Sequence, residues 1–179
     1  MSAGGVRRNW RAAQPGVTLP ELLLVLALVV VMALLAGPGF STLAASVATR
    51  TDAARLLASL HLARADAVRG GHVTRLCARP AGAVATPRCG DDFDRGWVVL
   101  RELSDAGNAL LREEAPLRTG MRVRQRDGLR VVSQPLRFRP DGTTRRGATF
   151  RFCESSFPGW QLVVSATGRP RLRRDATAC

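Results

Sequence analysis

The feature that most constrains this chain is an unbroken apolar run from Leu22 to Ala36, fifteen residues without one polar side chain. Nothing later in the sequence approaches it. In a helix such a run falls short of the roughly 20 residues that a bilayer's hydrocarbon core requires. Counting back through Val17, Thr18, Leu19, Pro20 and Glu21 completes the span and places a single charge, Glu21, within it. A carboxylate there costs about 2–3 kcal/mol and is functional by default. Arg7, Arg8 and Arg11 precede the run, and residues 1–16 hold no acid. The positive-inside rule then keeps the N-terminus cytoplasmic and sends residues after about 40 across the membrane.

A basic region, an apolar core and small residues near Ala44 and Ala45 also fit an ordinary secretory signal peptide. Glu21 argues against that reading, and so does the order Gly16-Val17-Thr18-Leu19-Pro20-Glu21-Leu22 in front of the run. These residues resemble the class III signal of type IV prepilins, with Gly16, Thr18, Leu19, Glu21 and Leu22 at the matching positions. Val17 stands where that family usually has phenylalanine, and Pro20 where it usually has an aliphatic residue. Proline is tolerated in a first helical turn, so the second departure is mild. The resemblance implies that a prepilin peptidase cuts between Gly16 and Val17 and methylates the new amine of Val17. It also implies that Glu21 neutralises the N-terminal amine of a neighbouring subunit during filament assembly. A buried carboxylate needs a partner, and a helix N-terminus presents only donors.

Gly37-Pro38-Gly39 closes the apolar segment and predicts a kink or a melted turn. Helical period returns over residues 41–69. Leu56, Leu60, Ala63 and Ala67 follow i, i+4, i+7, i+11 and are expected to face a core. Asp52, Arg55, Ser59, Asp66 and Arg69 read as an opposite polar stripe with i,i+3 ion pairs. Gly70-Gly71 supplies a stop. One helix over 17–69 would reach roughly 80 Å. Beyond Gly71 the period falls to two. His72–Cys77, Gly96–Glu102, Met121–Arg126, Leu136–Arg139, Thr149–Cys153 and Gly159–Ser165 read as strands, with Asp141-Gly142 as a turn between two of them. A long helix followed by antiparallel strands is an α+β pattern. It divides the chain into a leader over 1–16, a membrane helix over 17–40 and an exported domain over 41–179.

Charge is distributed unevenly. All 27 basic residues are arginine, and the net charge is +13. Residues 17–117 hold as many acids as arginines, whereas residues 118–179 hold 14 arginines against 4 acids. Arg169, Arg171, Arg173 and Arg174 lie together near the end with one acid, Asp175, beside them. Such a concentration favours a polyanion such as double-stranded DNA over a merely solvated face. For Arg122, Arg124, Arg137 and Arg139, alternation alone accounts for outward placement as well as binding does. The four cysteines, Cys77, Cys89, Cys153 and Cys179, read in an exported domain as two disulfides, with three connectivities open. Their spacing matches no zinc pattern, and the chain has two histidines. No metal or cofactor is expected, and no catalytic constellation is visible. Asp91, Asp92 and Asp94 could approach calcium, but three carboxylates rarely fill six to eight ligand positions.

Within the pilin-like proteins the resemblance narrows to the GspH/FimT branch of minor pilins and pseudopilins. It is carried by Leu60-His61-Leu62-Ala63-Arg64-Ala65-Asp66-Ala67-Val68-Arg69-Gly70, by Val73-Thr74-Arg75-Leu76-Cys77 with its loop to Cys89, and by Gly96-Trp97-Val98-Val99. The ending Gly168-Arg169-Pro170-Arg171 resembles that of FimT-like minor pilins. The resemblance implies a type IV pilin fold in the inner membrane, with the exported domain periplasmic and other pilins or pseudopilins as partners. With sequence proximity, it also implies the pairs Cys77–Cys89 and Cys153–Cys179. Three functional readings follow: a FimT-like minor pilin that binds DNA, an H-type pseudopilin of a type II secretion system, and a solitary anchored domain.

Overall fold

The computed structural model describes residues 16–82, 86–103, 107–154 and 157–175. The chain divides into two units at Phe40/Ser41. Helix α1 is assigned over Leu19–Gly70, with Glu21 in its first turn and Leu22 N donating to Thr18 O at 3.1 Å. Pro20 therefore sits where its missing N–H costs nothing. Gly37, Pro38 and Gly39 all lie inside the helical assignment, so the expected melted turn does not interrupt the element.

In the first unit the described apolar residues, Leu22 to Leu34, present themselves to the outside on every side of the helix. A helix that is hydrophobic all round needs an apolar surrounding. Among the described residues no helix is long and apolar enough to cross a membrane.

The second unit is built on the end of α1 and eight strands: β1 Thr74–Ala78, β2 Trp97–Leu103, β3 Gly107–Glu113, β4 Arg122–Arg124, β5 Leu136–Phe138, β6 Ala148–Glu154, β7 Phe157–Val164 and β8 Pro170–Arg174. The six segments of period two each overlap one of these strands. As the α+β pattern implies, the strands are antiparallel, and they form two four-stranded sheets, in the orders β3-β2-β1-β5 and β4-β6-β7-β8. The division follows from the Asp141-Gly142 turn. Its arms are bridged at Phe138 and Thr144, after which β5 continues into the first sheet and β6 into the second.

Ala53, Leu56, Leu60, Ala63 and Ala67 are fully buried against Leu76, Trp97 and Val99 of the first sheet and Val123, Phe150, Phe152 and Leu162 of the second, in one core cluster. The inward face expected of Leu56, Leu60, Ala63 and Ala67 is thus the face observed. The opposite polar stripe needs correction. Ser59 is fully buried and Asp52 nearly so. Ser59 Oγ accepts from Trp97 Nε1 at 2.9 Å and donates to Arg55 O at 3.1 Å, which makes burial of this hydroxyl tolerable. Arg55 does form the i,i+3 pair with Asp52, at 3.0 Å, but it also reaches Glu114 Oε2 at 2.9 Å and lies 5.3 Å from the Trp97 ring. Asp66 turns to the sheet rather than to Arg69.

Gly71, at φ +64°, terminates the helix as Gly70-Gly71 predicted. Cys77 on β1 is bonded to Cys89, closing the segment before β2 over a small buried cluster with Val98 and Leu100. Cys153 is buried on β6, while Cys179 lies outside the described residues, as do residues 1–15. Among the described residues no cysteine is free.

Candidate nucleic-acid interface

The arginines singled out near the C-terminus are not a loose tail. Pro170–Arg174 is an edge strand paired with β7, in the register Pro170 to Val164, Arg171 to Val163, Leu172 to Leu162, Arg173 to Gln161 and Arg174 to Trp160. One apolar residue, Leu172, packs on the core and holds the strand in place. The turn before it is fixed by backbone. Gly168 N donates to Ser165 O at 2.9 Å, and Ser165 N donates to Arg169 O at 3.2 Å. Gly168 has φ +73°, and a Cβ there would lie 1.9 Å from Gly142 O. Only glycine fits between these two turns. Thr144 N donates to Ala166 O at 2.9 Å, tying the two turns together.

Period two then sorts the four arginines. Arg171 and Arg173 share the outer face of the second sheet, opposite the Leu172 face, and Arg169 lies two residues before Arg171 on the same alternation. Arg174 falls on the other face, in register with Trp160, whose ring also lies 5.7 Å from the Arg50 guanidinium. The fold therefore brings Arg169, Arg171 and Arg173 together and separates Arg174 from them.

Across the outer face the register lines up Arg124 on β4, Arg151 on β6, Gln161 on β7 and Arg173 on β8. Within this row Arg124 and Arg151 are neutralised. Arg124 bonds Asp94 at 3.0 Å and Arg151 bonds Asp175 at 2.7 Å. Arg173 Nε donates to Gln161 Oε1 at 2.6 Å, an uncharged partner that orients the guanidinium without cancelling its charge. Arg169, Arg171 and Arg173 are exposed and have no ion pair among the described residues. Arg122 is exposed at the far edge of the same sheet.

Arg137 belongs to the other sheet, where it bonds Glu102 at 3.0 Å, so it does not extend this face. Arg139 is exposed at the start of the Asp141-Gly142 turn, which Thr144 links to Ala166 and so to the turn before β8. Hydrogen bonds from the Thr143 amide and hydroxyl hold the Asp141 carboxyl below the usual carboxylate range, so it stays ionised close to Arg139. Asp92 and Asp94 are also accounted for. Asp92 accepts from Asp94 N at 2.9 Å, while Asp94 accepts from Val123 N at 2.6 Å and from Arg124. These acids join loop to sheet. Among the described residues no group of His, Cys, Asp and Glu is placed to hold a metal ion.

At the other end of the chain, Gly16 and Val17 precede α1 in non-helical, exposed backbone, and Glu21 is exposed in its first turn.

Among solved structures the chain is similar to the type IV minor pilin FimU of Pseudomonas aeruginosa. The identity is 22% over 73% of this chain and 91% of that one, with a TM-score of 0.56. It is also similar to the minor pseudopilin EpsH of the Vibrio cholerae type 2 secretion system, at 15% identity over 70% and 96% of the two chains and a TM-score of 0.53. A second EpsH structure matches at 13% identity and a TM-score of 0.54, over 75% and 99% of the chains. No curated protein sequence matches the chain. The family described as type II transport protein GspH matches residues 52–168, from the buried helix face through both sheets to the turn before β8. With its α+β pilin fold, the chain belongs to the GspH family of type IV pilin-like proteins.

Proposed function

We propose that this chain is a FimT-like minor pilin of a type IV pilus, whose exported domain binds double-stranded DNA through Arg169, Arg171 and Arg173. A prepilin peptidase removes residues 1–16 and methylates Val17. Residues 17–40 then lie in the inner membrane, N-terminus cytoplasmic and residues 41–179 periplasmic, until the helix enters a filament of pilins. There Glu21 meets the amine of a neighbouring subunit. No step requires a cofactor, and the work is assembly and binding rather than catalysis. The observation that carries the DNA reading is that Arg171 and Arg173 on one face of an edge strand, with Arg169 just before it, have no acid partner among the described residues. Guanidinium groups pair with phosphate oxygens in a bidentate fork. Among the described residues this face presents strands and no recognition helix, so binding is expected without sequence preference.

The second reading is an H-type pseudopilin of a type II secretion system, supported by the likeness to EpsH and by the family's description. Two measurements test the assembly common to both. Mass spectrometry of the mature protein should give an N-methylated Val17 terminus, and a terminus near Ala45 would sink the pilin reading. Glu21→Ala should leave membrane insertion intact yet remove the protein from sheared filaments. Normal incorporation of that variant would refute the role given to Glu21. Binding of duplex DNA then separates minor pilin from pseudopilin.

A further inference from the structure

Where the arms of the Asp141-Gly142 hairpin part, they leave a cleft of about 570 Å³. Leu136 and Arg137 of β5 form one side, and the segment from Arg145 to Ala148 forms the other. The opening has a topological cause. Beyond the Phe138–Thr144 bridge, β5 is held by β1 in the first sheet, while Ala148 is drawn into the second by pairing with Val164. Thr144 secures the divergence, since its amide donates to Ala166 O and its hydroxyl to Ser165 O at 3.1 Å. β5 is consequently the edge of its sheet, with its unpaired side towards the cleft.

We propose that this cleft is a docking site for an extended acidic peptide segment of a partner protein, added as a strand to the free edge of β5. Three features select this occupant. An edge strand offers alternating amide donors and carbonyl acceptors, and an extended chain satisfies both. A phosphodiester backbone has no donor for the carbonyls. The inner lining contributed by Pro135, Leu136, Gly147 and Ala148 is uncharged and suits small apolar side chains on alternate positions. The rim is basic. Arg145 and Arg146 are exposed and have no ion pair among the described residues, whereas Arg137 is already engaged with Glu102. Carboxylates on the outward positions of the docked strand would meet Arg145 and Arg146. Phe138 is already bridged to Thr144, so the free edge of β5 is Leu136 and Arg137 and the segment recognised is short, on the order of 3 residues. This site is separate from the β8 arginines and does not depend on the DNA reading.

The test uses the full chain in lipid nanodiscs and fluorescein-labelled acetyl-Val-Glu-Val-Glu-Val-Glu amide, read by anisotropy and by amide hydrogen exchange. The expected result is saturable binding with slowed exchange at Leu136 and Arg137. An Arg145→Glu, Arg146→Glu variant with an unchanged near-ultraviolet circular dichroism spectrum should bind about tenfold more weakly. An Arg171→Gln, Arg173→Gln variant should bind as the unaltered chain does. Equal binding of the peptide with lysine in place of glutamate would overturn the proposal, as would binding that leaves β5 exchange unchanged. Loss of peptide binding in the Arg171, Arg173 variant would transfer the effect to β8. Displacement of the peptide by a 20-base-pair duplex in that same variant would make the cleft a phosphate site instead.

Discussion

Arg101 on β2 donates to both carboxylate oxygens of Asp66 near the end of α1, with Nε 3.3 Å from Oδ2. Thr74 Oγ1 donates to the same Oδ2 at 2.7 Å, and His72 Nε2 lies 2.8 Å from it. Burial alone would raise the Asp66 carboxyl. The hydrogen bonds from Arg101, His72 and Thr74 outweigh it and hold the group well below the usual carboxylate range. Glu114 is lowered in the same sense, with burial opposing and the bonds from Arg55 and Arg112 prevailing.

A carboxylate whose folded-state pKa is depressed contributes stability that is fully present above its unfolded value, about 3.9 for Asp, and is lost as pH falls through the folded value. The melting temperature of residues 41–179 should therefore be level near neutrality and fall below about pH 4. Asp66→Asn should start lower at pH 7 and fall less steeply between pH 5 and 2. Parallel pH profiles for the two proteins, followed by circular dichroism, would remove Asp66 from the account of acid unfolding.

The Ser59–Trp97 hydrogen bond is buried at both ends. Ser59→Ala leaves the indole N–H of a fully buried Trp97 without its acceptor, and such an orphan costs about 1–3 kcal/mol. Urea titration of residues 41–179 measures the loss. A change below about 0.5 kcal/mol, the range of ordinary surface substitutions, would mean the indole finds another partner.

How much of this was legible in the sequence depended on whether one local signal was clean. Leu56, Leu60, Ala63 and Ala67 announce their face because four apolar residues at helical spacing leave one solution. Ser59 and Asp52 were misplaced because Trp97, which donates to Ser59, and Glu114, which shares Arg55 with Asp52, lie 38 or more positions further along the chain. Strand β3 was missed altogether. Gly107–Glu113 carries Ala-Leu-Leu-Arg-Glu, good helix formers whose preference is overridden by pairing with β2. Strand β8 was hidden by its proline and its single apolar residue, so its arginines read only as a cluster near the end. The pattern identified the charged residues but not their faces, because alternation has meaning only once a strand is recognised. The Asp141-Gly142 turn was legible, but the parting of the β5 and β6 arms had no local signal, since it results from two sheets claiming them.

The Cys77–Cys89 bridge joins the end of β1 to the segment before β2 across 12 positions. In the chain-entropy account a loop of this size stabilises the fold by about 3 kcal/mol. Cys77→Ala, Cys89→Ala should lower stability by that order in denaturant titration. It should also speed amide exchange at Val98 and Leu100, which pack on the bridge. A smaller loss with unchanged exchange would show that the loop is held without it.

The sharpest prediction concerns the two faces of β8. If Arg169, Arg171 and Arg173 contact phosphates, duplex binding by residues 41–179 should be of micromolar order. Three neutralised phosphates should give a slope of log K against log salt of about −3. Alternate residues on a strand stand about 7 Å apart, so the three guanidinium groups can follow one backbone strand. Arg171→Gln, Arg173→Gln removes two of these contacts and should flatten the slope to about −1 while weakening binding to every duplex sequence alike. Arg174→Gln changes the net charge by one unit but touches the other face, in register with Trp160. It should leave the slope unchanged. Non-specific attraction to a basic domain would treat all four arginines by their charge alone, so equal effects per arginine removed would refute a defined β8 face. No binding at low salt by the unaltered domain would favour the pseudopilin reading.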